Sequence, residues 1–181
     1  MFDDARSKKI VLVSHCLLNQ NSISDGTADL PSQFNQVVDI LVNHNIGIVP
    51  MPCPELTCLG LDRGDERGAQ RPLLEENTRI RALLCEPENL ETLRQMADGL
   101  VRQVEQYQQH GFEVVGVIGV NRSPSCGVET TSKDGAEAPG KGVFMQILLE
   151  TISNRGITLP ATGTKTQQPE ASVENVRRLL D

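Results

Sequence analysis

The stretch FEVVGVIGVNRSPSC, residues 112–126, has the pattern of a buried strand that runs into a sharp turn bearing a thiol. Its first nine residues are almost all apolar, as expected of a parallel strand covered on both faces. Residues 88–110 before it place apolar side chains at helical spacing, and Gly111 is suited to end that helix. A long helix followed directly by a buried strand is typical of an α/β domain.

The same alternation of helix and strand extends to both sides of this stretch. Further strands are predicted at residues 9–14, 46–52 and 157–163, and further helices at residues 31–45, 142–156 and 172–180. We therefore predict an α/β fold, a Rossmann-like three-layer domain with a small, mostly parallel sheet and helices on both faces.

The chain of 181 residues is expected to form one domain with a core of about residues 9–163 and a C-terminal helical extension at 164–181. Residues 60–79 are charged and contain glycine, so they are predicted to form a loop that could close over a site. Cys85, on the face of an apparent helix, is predicted to lie in the core.

Composition limits the classes of partner. No segment approaches the roughly 18 apolar residues of a membrane span, and residues 1–9 contain no apolar signal core, so we expect a cytoplasmic protein without a membrane partner. A net charge of −7 and an aromatic content of 3% argue against binding a nucleic-acid polymer. The sequence leaves open whether the chain forms a homodimer.

Each of the three clearest strands leads into a cysteine: VLVSHC ends at Cys16, GIVPMPC at Cys53 and VIGVNRSPSC at Cys126. Parallel strands bring their carboxyl ends to one edge of the sheet, so the three thiols are expected to converge there. An odd number of cysteines in a reducing compartment favours a metal or catalytic role over disulfides. Three convergent thiolates suit a 4Fe–4S cluster with one open iron.

Two other interpretations of these cysteines remain open. A single cysteine after a strand is usually a small buried hydrophobic residue, and the domain would then be purely structural. Cys58 forms a C-x4-C pair with Cys53 and is a candidate fourth ligand. Four thiolates would suit a zinc site, in which no coordination position stays open for a substrate.

Several polar residues adjoin these cysteines. Glu55 could act as an acid or base, or could cap backbone N–H groups in its turn. His15 could donate a hydrogen bond to the substrate ring or tune the cluster, or it could be a structural residue beyond the ligands. Ser123, with its neighbour Ser125, could bind the substrate or could satisfy the turn.

The turn and the predicted loop add three further expectations. The N–H groups of residues 123–127 are expected to donate to cluster sulfides, and Gly127 to leave room for them. Arg63, Arg67 and Arg71 are predicted to be solvated loop residues, one of which could hold an anionic group if the loop closes.

Taken together, VSHCLLNQN, MPCPEL, SPSCGV and GVFMQILLETISNRGI resemble the bacterial thiouracil desulfidase family over about residues 9–163. The resemblance implies a Rossmann-like fold, a 4Fe–4S cluster held by Cys16, Cys53 and Cys126, and hydrolytic removal of sulfur from a thiolated heterocycle. The likeness is closer to a branch of related desulfidases in which a histidine precedes the first cysteine, as His15 precedes Cys16 here. The better-known branch of the family has a small residue at the position of His15 and an arginine–tyrosine–aspartate–glycine turn where this chain has residues 23–26. These differences bear on the identity of the substrate.

The sequence thus predicts an iron–sulfur-dependent desulfidase that releases sulfide from a small thiouracil-like substrate. In this hypothesis the open iron binds the substrate sulfur, and Glu55, Ser123 and His15 are the catalytic candidates. The alternative is a non-catalytic iron–sulfur protein that carries sulfide or has a regulatory role. A Glu55→Gln variant distinguishes the two, because only the enzyme needs a proton acceptor there.

Overall fold

A computed structural model describes residues 2–181. Over this range the chain forms strands and α-helices in the following order: β1 (Lys9–Ser14), α1 (His15–Leu18), α2 (Asn35–Asn43), β2 (Gly47–Met51), α3 (Pro54–Leu59), α4 (Leu73–Leu84), α5 (Pro87–Gln109), β3 (Glu113–Val120), β4 (Thr130–Lys133), β5 (Ala136–Pro139), α6 (Val143–Asn154), β6 (Ala161–Thr164) and α7 (Pro169–Leu180). No helix within these residues is both long enough and apolar enough to cross a bilayer.

The main sheet has the strand order β2–β1–β3–β6, and all its neighbouring pairs are parallel. The chain passes from β1 to β2 on one side and then crosses to β3 on the other side of β1. The strand order therefore reverses between β1 and β3, and the crevice at such a reversal is where ligands bind in open α/β sheets.

Helices cover both faces of the sheet because its strands are apolar on both. Along β1, Ile10 and Leu12 pack into the core cluster formed with α4, α5 and α6, whereas Val11 and Val13 pack into the cluster formed with α2 and α7. This alternation follows from the period of two in a strand. The prediction of a Rossmann-like three-layer α/β fold is confirmed.

The predicted elements agree with the structure in most places. The strand at residues 9–14 and the helix at residues 88–110 are confirmed as β1 and α5, and Gly111 follows α5 with a left-handed φ of 76°. The fourth strand of the sheet begins only at Ala161, because residues 157–160 have no regular structure.

Two predictions were wrong, and the short helices α1 and α3 and the β4–β5 hairpin were not predicted. Residues 73–79 belong to α4 and not to a loop. The sequence pattern was misleading because the buried face of this helix carries the polar residues Glu76 and Asn77. Cys85 is exposed at the end of α4 and is not a core residue. The antiparallel β4–β5 hairpin was missed although its turn is Asp134-Gly135, a strong hairpin signal.

Candidate active site

The carboxyl ends of β1, β2 and β3 open onto one cavity. Cys16, Cys53 and Cys126 all line it, and so do the three polar candidates that the sequence indicated, namely His15, Glu55 and Ser123. The structure therefore brings together all six residues, which span 112 positions of the chain from His15 to Cys126.

Each of the three cysteines lies where a strand gives way to a turn or helix. Cys16 is the second residue of α1, directly after β1. Cys53 is the N-cap of α3, and its Sγ accepts a hydrogen bond from the N–H of Leu56 at 3.5 Å, as N-cap side chains do. Pro54 occupies the first turn of α3, where its missing N–H costs nothing.

The turn that carries Cys126 is held by the Ser123 hydroxyl. Ser123 Oγ accepts hydrogen bonds from the N–H groups of Ser125 at 3.3 Å and of Cys126 at 3.0 Å. The Cys126 carbonyl in turn accepts from the N–H of Val120, the last residue of β3, at 3.0 Å. The Ser125 and Cys126 N–H groups are thus engaged within the turn, contrary to the expectation that they would donate to cluster sulfides.

Glycines let other segments approach this turn closely. A Cβ on Gly142 would lie 2.3 Å from the Ser125 carbonyl carbon and 2.7 Å from the Cys126 nitrogen. A Cβ on Gly127 would lie 2.2 Å from the carbonyl oxygen of Thr130. Gly127 thus lets the backbone approach closely, because a side chain there would occupy the space of the Thr130 carbonyl.

Glu55 is the centre of a buried polar network. It is only 8% exposed, and its Oε1 accepts a hydrogen bond from Ser125 Oγ at 2.6 Å. Its Oε2 accepts from the Arg63 guanidinium Nε at 3.1 Å and, more weakly, from Ser24 Oγ at 3.5 Å. Ser125 Oγ also lies 3.6 Å from Cys126 Sγ, so this hydroxyl joins the carboxylate to the thiol.

Arg63 was predicted to be a solvated loop residue, and this prediction was wrong. The residue is 1% exposed, and besides Glu55 its side chain contacts the backbone carbonyls of Gly60 and Ser22. A buried carboxylate needs a partner of opposite charge, and Arg63 supplies it. The residue adopts a left-handed φ of 56°, which is unfavourable for any residue with a Cβ.

The other two loop arginines lie outside the cavity. Arg67 is exposed, as predicted, whereas Arg71 forms ion pairs with Asp65 and Glu76 and so ties the loop to α4. Of the three, only Arg63 reaches the candidate site.

The remaining candidate ligand, Cys58, does not reach the cavity. It is half-buried on α3, packs against the first core cluster and lies close enough to Cys53 to interact with it electrostatically. Among residues 2–181 no three His, Cys, Asp or Glu side chains are close enough together to ligate a single metal ion. Cys16, Cys53 and Cys126 nevertheless line one cavity, and the charges of Cys53 and Cys126 act on Cys16.

The electrostatics of the cavity oppose free thiolates. Burial, together with the charges of the other cysteines and of Glu55, raises the pKa of the Cys16 thiol well above its ordinary value. Burial also raises the pKa of the Cys53 thiol. Burial, together with the charge of the nearby Cys53, raises the pKa of the Cys126 thiol to about 12. A nearby positive charge, such as bound metal ions supply, would favour the thiolate forms.

The chain is similar to known proteins over most of its length. A protein of Methanocaldococcus jannaschii whose function is uncharacterized is 28% identical over 156 residues, which cover 86% of this chain and 85% of that protein. A solved structure described as the 4Fe-4S-dependent thiouracil desulfidase TudS covers 94% of this chain and 99% of its own, with 18% sequence identity and a TM-score of 0.42. The profile of the 2-thiouracil desulfurase family matches residues 11–159, which include the three cavity cysteines. The chain therefore belongs to the 2-thiouracil desulfurase family.

Proposed function

We propose that this protein is a hydrolytic desulfidase: water replaces the sulfur of a small thiouracil-like molecule, and hydrogen sulfide is released. Family membership supports the reaction class. The observation that carries the proposal is a buried, doubly held carboxylate, Glu55, in a cavity lined by cysteines from three strand ends. A purely structural domain has no need of this arrangement.

Cys16, Cys53 and Cys126 would hold a 4Fe–4S cluster. The raised pKa values of these thiols fit a group that brings positive charge. When bound, such a cluster supplies a Lewis-acidic iron with an open position, which polarises the carbon–sulfur bond of the substrate.

Glu55 would accept the proton of the attacking water. Addition of water to carbon requires loss of a proton, and the departing sulfur requires one. Glu55 suits both steps because Arg63 and Ser125 hold its two oxygens in fixed directions. The Ser125 hydroxyl, between Glu55 and Cys126, would pass the proton toward the sulfur side of the cavity.

His15 and Ser123 would act beside this pair. His15 opens α1 and lines the cavity, so its imidazole could donate to a ring heteroatom of the substrate. Ser123 would act indirectly, since its Oγ accepts two N–H groups that fix Cys126 in place. We therefore assign substrate contact to His15 and positioning to Ser123.

The first experiment measures iron, acid-labile sulfide, zinc and the visible spectrum on protein prepared and reconstituted without oxygen. We expect about four irons and four sulfides per chain. Cys16→Ser, Cys53→Ser and Cys126→Ser are expected to lose them, whereas Cys58→Ser and Cys85→Ser serve as matched controls and retain them. Loss of iron in Cys58→Ser would contradict the three-cysteine ligand set, and zinc without sulfide in the wild type would refute the cluster.

The second experiment measures sulfide release from 2-thiouracil by the reconstituted protein. Glu55→Gln keeps the shape of the side chain and one of its two acceptor oxygens but cannot accept a proton, so general base catalysis worth about 10²–10⁴-fold in rate is expected to disappear. The iron content of the variant must equal that of the wild type. A cluster-bearing wild type that releases no sulfide would instead favour the alternative, a protein that carries sulfide or has a regulatory role.

A further inference from the structure

Two buried side-chain atoms stand out because they have no hydrogen-bond partner: Ser14 Oγ and Gln20 Oε1 are the only such oxygen or nitrogen atoms among residues 2–181. Both residues flank Cys16 in the sequence. Gln20 still donates from Nε2 to the Cys16 carbonyl at 2.8 Å, whereas Ser14 Oγ makes no hydrogen bond. An unsatisfied buried hydroxyl is costly, and in a native protein it calls for an explanation.

The position of Ser14 in β1 determines which way its side chain points. Side chains alternate along a strand, so Ser14 lies on the same face as Ile10 and Leu12. That face packs into the first core cluster, which also contains Cys126. Ser14 is fully buried, so an apolar residue would suit the site better unless the hydroxyl has a task there.

We propose that the Ser14 hydroxyl donates a hydrogen bond to Cys126 Sγ when that sulfur is a cluster-bound thiolate, and that this bond raises the reduction potential of the cluster. The inference depends on the proposed function. A neutral thiol is a weak acceptor, whereas a charged sulfur forms a stronger, charge-assisted hydrogen bond. Donation to a ligand sulfur withdraws negative charge and so stabilises the reduced cluster.

The strand pairing agrees with this assignment. Val13 of β1 pairs with Ile118 of β3, so the next residues of the two strands, Ser14 and Gly119, are neighbours, and a Cβ on Gly119 would meet Cys126. The Ser125 hydroxyl, which also lies close to Cys126 Sγ, already donates to Glu55 at 2.6 Å. The Ser14 hydroxyl has no other acceptor and can therefore donate to the sulfur.

The test compares Ser14→Thr with Ser14→Val. Threonine and valine have nearly the same shape and both suit a strand, so any strain from the larger side chain is shared and the difference isolates the hydroxyl. Ser14→Ala removes the hydroxyl without adding volume. The readout is the reduction potential of the anaerobically reconstituted cluster, from a redox titration followed by visible absorption and electron paramagnetic resonance.

We expect a lower potential in Ser14→Val and Ser14→Ala than in the wild type, and a potential close to that of the wild type in Ser14→Thr. Equal potentials in Ser14→Val and Ser14→Thr, or an unchanged potential in Ser14→Ala, would overturn the inference while leaving the proposed function intact. If neither larger variant folds, the comparison of Ser14→Ala with wild type decides. A wild type that binds no cluster defeats both proposals, and iron analysis recognises that case at once.

Discussion

Replacing Arg63 by methionine tests whether the buried pair with Glu55 supports the fold of the site. The Arg63 and Glu55 side chains are 2% and 10% exposed, so solvent screens their interaction little. Methionine keeps the apolar stem but leaves the Glu55 carboxylate buried without a counter-charge. Removing one partner of a buried ion pair costs about 3–5 kcal/mol, a large fraction of the roughly 5–15 kcal/mol that stabilises a typical domain.

The assay is urea unfolding of the wild type and the variant at neutral pH. Arg67→Met is the matched control, because Arg67 lies in the same loop with a side chain that is 77% exposed. Its effect is expected to stay within about 0.5 kcal/mol. A loss in Arg63→Met no larger than the loss in the control would refute the assignment of Arg63 as the partner of Glu55.

A double-mutant cycle separates the pair from the other contacts of Arg63. The guanidinium also contacts the carbonyls of Gly60, Leu61 and Ser22, and methionine removes these hydrogen bonds as well. Those losses do not depend on the charge of Glu55. Adding Glu55→Gln to Arg63→Met is therefore expected to recover part of the stability, with a coupling of about 0.5–3 kcal/mol. Strict additivity of the two changes would contradict an ion pair.

Two further predictions concern the turn and the loop. Gly142→Ala is expected to displace Cys126 and abolish iron binding, because the new methyl group would lie 2.7 Å from the Cys126 nitrogen. Iron analysis on the folded variant measures this effect. Its control is Gly99→Ala in α5, where no atom lies nearer than 4.0 Å, and that change is expected to stabilise the helix by up to about 1 kcal/mol. Hydrogen bonds from Arg79 hold the pKa of Glu76 below its ordinary value of 4.5. The ionised carboxylate therefore contributes its full stabilisation above pH 4.5 and loses this contribution as the pH falls through the folded-state pKa. Glu76→Gln is thus expected to flatten the acid side of the plot of unfolding free energy against pH, and identical slopes in the two proteins would count against the ion pair.

The convergence of the three cysteines was predictable because it depends only on local patterns and one rule of topology. Apolar runs identify the parallel strands, and the rule that their carboxyl ends share an edge brings Cys16, Cys53 and Cys126 together. The polar partners were less accessible. Ser123 and Ser125 flank the same proline, and only the backbone path of the turn makes one of them the holder of Cys126 and the other a donor to Glu55.

Arg63 shows where sequence patterns give no signal. It lies between glycines and acids in a segment that looks solvated. Its buried guanidinium donates a hydrogen bond to the carbonyl of Ser22, which is 41 residues away along the chain. The helix that follows was hidden in a similar way, since its inner face carries Glu76 and Asn77, paired with arginines and with Ser132. Buried polar residues escape periodicity arguments because their partners come from distant segments.

The charge balance of the cavity explains why the arginine is needed at all. The Glu55 carboxylate raises the pKa of the three cavity thiols, while Arg63 lowers that of Cys53. In the proposed function, a carboxylate that transfers protons would work against the thiolates that a cluster requires, so the two could share one cavity only if a positive charge offset that of Glu55. Arg63 supplies that charge through its ion pair, while its other donors bind the backbone carbonyls of Gly60, Leu61 and Ser22. The ion pair would thus let an acid–base group and a thiolate site share the cavity, whichever thiolated compound enters it.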